Sequence, residues 1–228
     1  MNMIGTGLSH PLRRAAVRRL SAGRFHLLVG AMLIAAALAI PVRIAAAAPD
    51  PMTTVKATVD KFVAVLSDPA LKANPGDRRQ RLKDTAAERF DFAEMGRSAL
   101  GVHWRDLSDQ QRKAFVDLFT RFVEAAYIGR LDSYTGQRID FVKAANDGPD
   151  YAEVSTKIIQ PSADPIGLNY RVKMEGNDWK IYDVTVDNIS IVANYRNQFN
   201  RVINNQGFDT LMSNMRAKQE GLDTSIAK

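Results

Sequence analysis

The chain contains no cysteine. Disulfides, thiol nucleophiles and cysteine metal sites are thereby excluded, and the absence suits an oxidising compartment, where a free thiol is a liability. Histidine is nearly missing as well: His10, His26 and His103 are the three. That set cannot supply a zinc site of ordinary spacing, and no metal or cofactor is expected. His103, beside Trp104 and Arg105, reads as a packed or surface histidine rather than a base. There is no Gly-x-Ser-x-Gly elbow, phosphate-binding loop or dinucleotide glycine fingerprint. Apolar runs are short: the longest, Leu27 to Ile40, ends at Pro41 and falls below the ~20 residues of a membrane span.

Acidic residues are absent before Asp50, whereas Arg13, Arg14, Arg18, Arg19, Arg24 and Arg43 all lie there. The net charge of +6 is therefore a property of the leader. Without those six arginines, 25 basic residues face 25 acidic ones. A nucleic-acid-binding reading, which needs a clustered basic footprint, loses its support. A positive segment, an apolar run and the small residues Ala45 to Ala48 read as a secretory signal over residues 1–48. Cleavage is expected near Ala47 or Ala48, leaving one exported domain, residues 49–228. A retained anchor is the alternative: Val42 to Ala48 would lengthen the run, with Arg43 interrupting it.

After the leader, the pattern is helical, then extended, then helical. Thr53 or Thr54 can cap a helix with Val55, Val59, Phe62, Val63 and Leu66 on one face, ending at Asp68-Pro69. A basic surface helix from Pro75 carries Arg78, Arg79, Arg81 and Leu82. Ser108 and Gln111 fit a capping box for the longest helix, about Asp109 to Leu131. Its broad stripe of Phe115, Leu118, Phe119, Phe122 and Ala126 exceeds what one neighbour covers. Alternating runs follow at Gln137–Lys143, Tyr151–Gln160, Ile166–Met174 and Trp179–Val186, separated by turn residues. About four antiparallel strands are expected. A helix from Ile189, a break at Gly207 and a last helix that frays from about Lys218 complete the chain. The class is α+β, with helices around a mainly antiparallel sheet.

The acidic pairs Asp91 and Glu94, or Asp183 and Asp187, could be read as hydrolytic carboxylates, but capping and surface charge account for such spacings and no enzyme is expected. What remains is apolar surface facing apolar surface. On the helices this is Phe92, Met95, Leu100, Phe119, Phe122, Tyr127, Val192 and Tyr195. On the strands it is Val154, Ile158, Leu168, Tyr170, Val172 and Ile181. Periodicity gives a filled core and a lined cavity the same pattern.

The run Trp179-Lys180-Ile181-Tyr182-Asp183-Val184, then Asn188-Ile189-Ser190-Ile191-Val192, then Asn194-Tyr195-Arg196-Asn197-Gln198-Phe199, resembles the signature of the MlaC family of periplasmic phospholipid-binding proteins. The resemblance takes in Phe90-Asp91-Phe92 with Met95, Ala99-Leu100-Gly101, Trp104, Phe115, Phe119, Tyr127, Tyr134-Thr135-Gly136 and Gln206-Gly207-Phe208, from roughly Thr54 to Leu222. It implies a curved sheet enclosing a deep apolar pocket for acyl chains, with no catalytic residue. It implies a shuttle for phospholipid between an outer-membrane lipoprotein-porin complex and an inner-membrane ABC transporter bearing MCE domains. A hopanoid carrier is a relative, and a lipid-free interaction module of a transporter is the other alternative. The fourteen apolar residues above are then the expected acyl-chain pocket, and Arg97, Arg105 and Arg130 the candidates for headgroup or docking contacts. A monomer is expected.

Overall fold

A computed structural model describes residues 49–131 and 133–226; the proposed leader and its cleavage point lie outside the described residues. The helices are α1 (Pro51–Ser67), α2 (Pro69–Ala73), α3 (Pro75–Arg89), α4 (Phe92–Leu100), α5 (Asp109–Leu131), α6 (Ile191–Gln206) and α7 (Phe208–Ile226), with a 3-10 turn at Gly101–Asp106. The strands are β1 (Arg138–Asn146), β2 (Tyr151–Ile159), β3 (Ile166–Glu175), β4 (Asp178–Val186) and β5 (Ile189–Ser190). They form one antiparallel sheet in the order β1-β2-β3-β4-β5. Among the described residues, no helix is long and apolar enough to cross a membrane.

Side-chain caps set most helix boundaries. Ser108 and Gln111 form the expected reciprocal box: the Ser108 N–H donates to Gln111 Oε1 at 2.9 Å and the Gln111 N–H to Ser108 Oγ at 3.3 Å, satisfying donors that the first turn of α5 leaves open. Three helix boundaries differ from expectation, and one short helix is added. α1 begins one turn earlier than Thr53 or Thr54, because Asp50 accepts from the Thr53 N–H at 2.9 Å and Pro51 needs no donor in a first turn. It ends at Asp68-Pro69 as expected, and Asp68 also caps the added helix α2. Ile189 is not helical: with Ser190 it pairs against Val186 and Thr185, so the sheet has a fifth strand and α6 starts at Ile191. Finally, α7 stays helical to Ile226 rather than fraying from Lys218.

The helical and sheet layers share one core. Val55 and Val59 of α1, Met95, Ala99 and Leu100 of α4, Phe115, Leu118, Phe119 and Phe122 of α5, and Val192, Tyr195 and Phe199 of α6 join Val154, Val172 and Ile181 of the sheet. Between α5 and α6 the core is ring on ring: Phe119 meets Tyr195 at 6.1 Å and Phe199 at 6.3 Å, and Phe122 meets Tyr195 at 5.4 Å. Contacts of this kind add to the burial of large apolar area. A smaller cluster of Leu66, Leu82 and Ile128 joins α1, α3 and α5, and Leu82 is what anchors the otherwise charged α3.

Candidate functional site

The strand register arranges the inner face of the sheet in rows. Opposite residues are Ile139–Ile158–Ile166, then Phe141–Thr156–Leu168–Val186, then Ala144–Val154–Tyr170–Val184, then Asn146–Ala152–Val172–Ile181, with Met174–Trp179 last. Unmatched residues in β1 (Val142) and β4 (Tyr182) keep these rows on one face across two bulges, since an extra residue resets the period-2 alternation.

Burial falls along those rows. Ala152, Val172, Ile181 and Trp179 are buried, and that end is closed by chain from the helical layer. The Trp179 indole donates to the Pro49 carbonyl at 2.6 Å, the Arg89 guanidinium donates to the Trp179 carbonyl at 2.9 Å, and Phe90 bridges Ile181. In the first two rows, Ile139, Ile158, Ile166, Phe141, Leu168 and Val186 are only half-buried. Thr156 is the buried exception, its hydroxyl donating to the Leu168 carbonyl at 3.2 Å. The inner face is thus apolar along its length, covered at one end and half-exposed at the other.

Tyr170 marks where the two ends meet. It keeps part of its surface accessible, yet burial pushes its hydroxyl up to about 12, the Thr156 hydroxyl only partly opposing this. Desolvation raises a phenol's pKa by disfavouring the charged form. The Tyr170 side chain thus keeps accessible surface while its hydroxyl is desolvated.

Connectivity brings the far ends of two helices toward the open rows. The chain leaves α5 at Leu131 and re-enters the sheet at Arg138, beside Ile139. α6 begins directly from β5, which pairs with Val186. Tyr127 on α5 faces Tyr195 on α6, and Val192 follows β5 at the start of α6. The Arg130 guanidinium lies over the Tyr127 ring at 5.3 Å. Burial, with Tyr127 adding to it, raises the Tyr195 hydroxyl strongly, Arg130 opposing.

Measured against the sequence-based set, the structure gathers Phe92, Met95, Leu100, Phe119, Phe122, Tyr127, Val154, Leu168, Tyr170, Val172, Ile181, Val192 and Tyr195 into one apolar cluster. Ile158 is half-buried in the open row. Within the cluster the environments differ: Phe119 and Phe122 are packed ring against ring, while Tyr127, Leu168 and Tyr170 keep accessible surface.

The three arginines separate. Arg130 stands with Tyr127, whereas Arg97 and Arg105 line a different depression of about 560 Å³ on the outer side of α4 and α6, together with Arg196. Arg97 makes two bonds to Glu94, at 2.9 and 2.7 Å. Burial pushes the Glu94 carboxyl up, but these bonds and one from Ser98 more than offset it, leaving it below the usual range. Sequence reasoning missed Arg196, whose Nε donates to the Ser98 carbonyl at 2.6 Å, 98 residues away; no local pattern could signal that.

The acidic pairs are occupied with structure. Asp91 caps α4 through the Glu94 N–H at 2.8 Å. Asp187 accepts from the Gly167 N–H at 2.9 Å, and Asp183 from Ser190 and Val192. The His103 ring lies 2.8 Å from Asn200 Oδ1. Among the described residues no cluster of His, Asp or Glu could hold a metal ion.

One carboxylate is held above its ordinary range. Burial raises Glu124, on α5, and Lys83 at 3.7 Å only partly opposes this. A carboxyl whose folded pKa is raised costs stability above that pKa, and the cost disappears as pH falls toward the unfolded value. Glu124→Gln is therefore expected to gain on the order of 0.5 kcal/mol at pH 7 and nothing at pH 4. Urea midpoints at both pH values test this; a loss at pH 7 would mean that the Lys83 pair outweighs the burial.

Comparison with known proteins gives these features a context. The family described as MlaC protein matches residues 56–217. The intermembrane phospholipid transport system binding protein MlaC of Haemophilus influenzae is 24% identical over 179 residues, covering 76% of this chain and 84% of its own. The solved structure of a phospholipid-binding protein from Ralstonia solanacearum, in complex with a phospholipid, superposes with a TM-score of 0.70 at 25% identity, covering 77% of this chain and 99% of that one. The match runs from within α1 to the first half of α7 and takes in the whole sheet, and the chain belongs to the MlaC family.

Proposed function

We propose that this chain is a periplasmic phospholipid carrier, exported by residues 1–48 and working as the domain 49–228. The acyl chains lie against the half-exposed rows of the sheet. Leu168, Tyr170, Ile158 and Tyr127 line that space, and Val154, Val172 and Ile181 form its floor. Arg130 stands beside the headgroup. The observation that carries this reading is Tyr170, accessible and desolvated at once on an apolar sheet face, in a chain whose relatives are named for binding and transporting phospholipid.

The energetics favour such a device. Two acyl chains hold about 30 methylenes, and exposing them to water at ~0.8 kcal/mol each costs roughly 25 kcal/mol. A pocket as apolar as the bilayer brings net transfer near zero, so that small differences on docking decide loading and release. The stations at either end are, in this reading, an outer-membrane lipoprotein-porin complex and an inner-membrane MCE-domain ABC transporter. The balance of 25 basic and 25 acidic residues after the leader keeps the carrier from being trapped on anionic membrane surfaces.

The test is lipid extraction and mass spectrometry on residues 49–228, purified from a bacterial periplasm without detergent. About one phospholipid per chain is the expected result. A protein that is empty, and stays empty after incubation with phospholipid vesicles, overturns the proposal.

A further inference from the structure

We propose that the depression between α4 and α6 is a docking site for an acidic segment of a partner protein, separate from the lipid-binding face. It holds Arg97, Arg105 and Arg196, and no residue that lines it is acidic. Asn197 and Asn200 add amides, and Val102, 70% exposed, stands at its edge. Arg105 makes no ion pair among the described residues. Among the described residues Arg196 bonds only a neutral carbonyl, that of Ser98, and no carboxylate there compensates its charge. Arg97 alone is paired, with Glu94.

The site is held ready rather than assembled on contact. The Arg112 guanidinium lies over the Trp104 ring at 5.5 Å and donates to the carbonyls of Trp104 and Arg105, at 3.1 and 3.2 Å, fixing the 3-10 turn that presents Arg105. Gly101 turns the chain at φ 58°, a conformation that L side chains rarely adopt, directly beside the Arg196 side chain. Guanidiniums already held, as those of Arg97 and Arg196 are, lose less entropy on meeting carboxylates, and their forks match carboxylate geometry. The depression also lies on the solvent face of α6, whose opposite face carries Tyr195 and Phe199 into the core. A partner can therefore bind here while lipid is in place.

A protein segment fits better than a membrane. The arginines line a concavity about 560 Å³ in volume, which a projecting acidic side chain enters and a flat headgroup surface does not. The formally neutral chain after the leader supplies no general attraction to anionic bilayers, whereas an apolar side chain next to the carboxylates would cover Val102.

The experiment is NMR titration of the domain 49–228 with a peptide of alternating Glu and Leu, with a Gln-Leu peptide and with vesicles of phosphatidylglycerol and phosphatidylethanolamine as comparisons. The Glu-Leu peptide is expected to shift the signals of Gly101, Val102, Arg105 and Asn197, more weakly as salt rises, because screening acts on exposed pairs. Arg105→Glu, at an exposed site, should weaken that binding at least fivefold while leaving the lipid content and the fold unchanged. Three results would each overturn the proposal: no shifts at these residues with the Glu-Leu peptide, equal shifts with the Gln-Leu peptide, or shifts produced by the vesicles alone. Loss of bound lipid from folded Arg105→Glu would do so as well, by assigning the arginines to the headgroup. Carriage itself is judged by lipid in the wild-type protein, so its failure is distinguishable.

Discussion

Leu168→Trp is expected to fold and to lose its lipid. Leu168 is on the inner face of β3, between Thr156 and Val186, and is half-buried. The added indole therefore grows into the accessible space next to the open row rather than into packed neighbours, and overpacking strain should stay under ~1.5 kcal/mol. The same ring fills volume that an acyl chain needs, so lipid content should fall from about one per chain to less than about one tenth, which from about nine-tenths occupancy is a loss of roughly 2.6 kcal/mol or more in binding. Val172, two residues along the same face, gives the contrast. It is 0% exposed, so a tryptophan there must displace Ile181 or Ala152 and costs ~1–3 kcal/mol or more in stability. Lipid per folded chain, with the urea midpoint, separates the two. A folded Leu168→Trp that retains a full complement of lipid would move the binding face elsewhere in the molecule.

That contrast between two residues of one strand is what periodicity could not supply. Leu168, Tyr170 and Val172 share a face because strand side chains alternate, and the alternation reads directly from the sequence. Their depth depends on which helix lies over each row, which is set by contacts such as Trp179 to Pro49, 130 residues apart. Local chemistry was legible: the Ser108–Gln111 box, the Gly207 break and the four long strands stand where residue types place them. Less legible were features decided by competition. The first half of Ile189–Phe199 has a helical spacing, but Ile189 and Ser190 find partners on β4 before the helix begins. At the other end, the polar residues after Lys218 remain helical to Ile226, in a helix whose earlier turns pack Leu211, Met212 and Met215 into the core. Nothing local distinguished Arg130 from Arg97 and Arg105 either; the topology puts them on different surfaces.

The β4 to α6 corner is where a single polar side chain is expected to have a large effect on stability. Asp183 is 3% exposed, and the unmatched Tyr182 in β4 sets its position next to the start of α6. It accepts from the Ser190 hydroxyl at 2.6 Å and from the Val192 N–H at 3.1 Å, with an Arg171 nitrogen at 3.9 Å. Ser190 Oγ in turn accepts from the Ala193 N–H at 2.9 Å. One carboxylate thus satisfies a first-turn donor of α6 directly and holds the residue that satisfies another. Asp183→Ala leaves the Val192 N–H buried without an acceptor and frees Ser190 to leave its capping position. Each loss costs about 1–2 kcal/mol, so roughly 3 kcal/mol in all, which in a domain of this size lowers Tm by about 6–12 °C. Asp183→Asn should lose about half as much, since the amide oxygen still accepts from Val192, whereas its NH2 can only donate to Ser190 Oγ, so the Ser190 hydroxyl proton loses its charged acceptor. Because α6 starts from this corner and carries Val192 and Tyr195, both in the expected acyl-chain set, the Ala variant should also release lipid at temperatures where it remains folded. Thermal and urea unfolding of both variants decide the point: an Asp183→Ala protein within ~0.5 kcal/mol of wild type would mean that the corner is held by β5 pairing and helix packing instead.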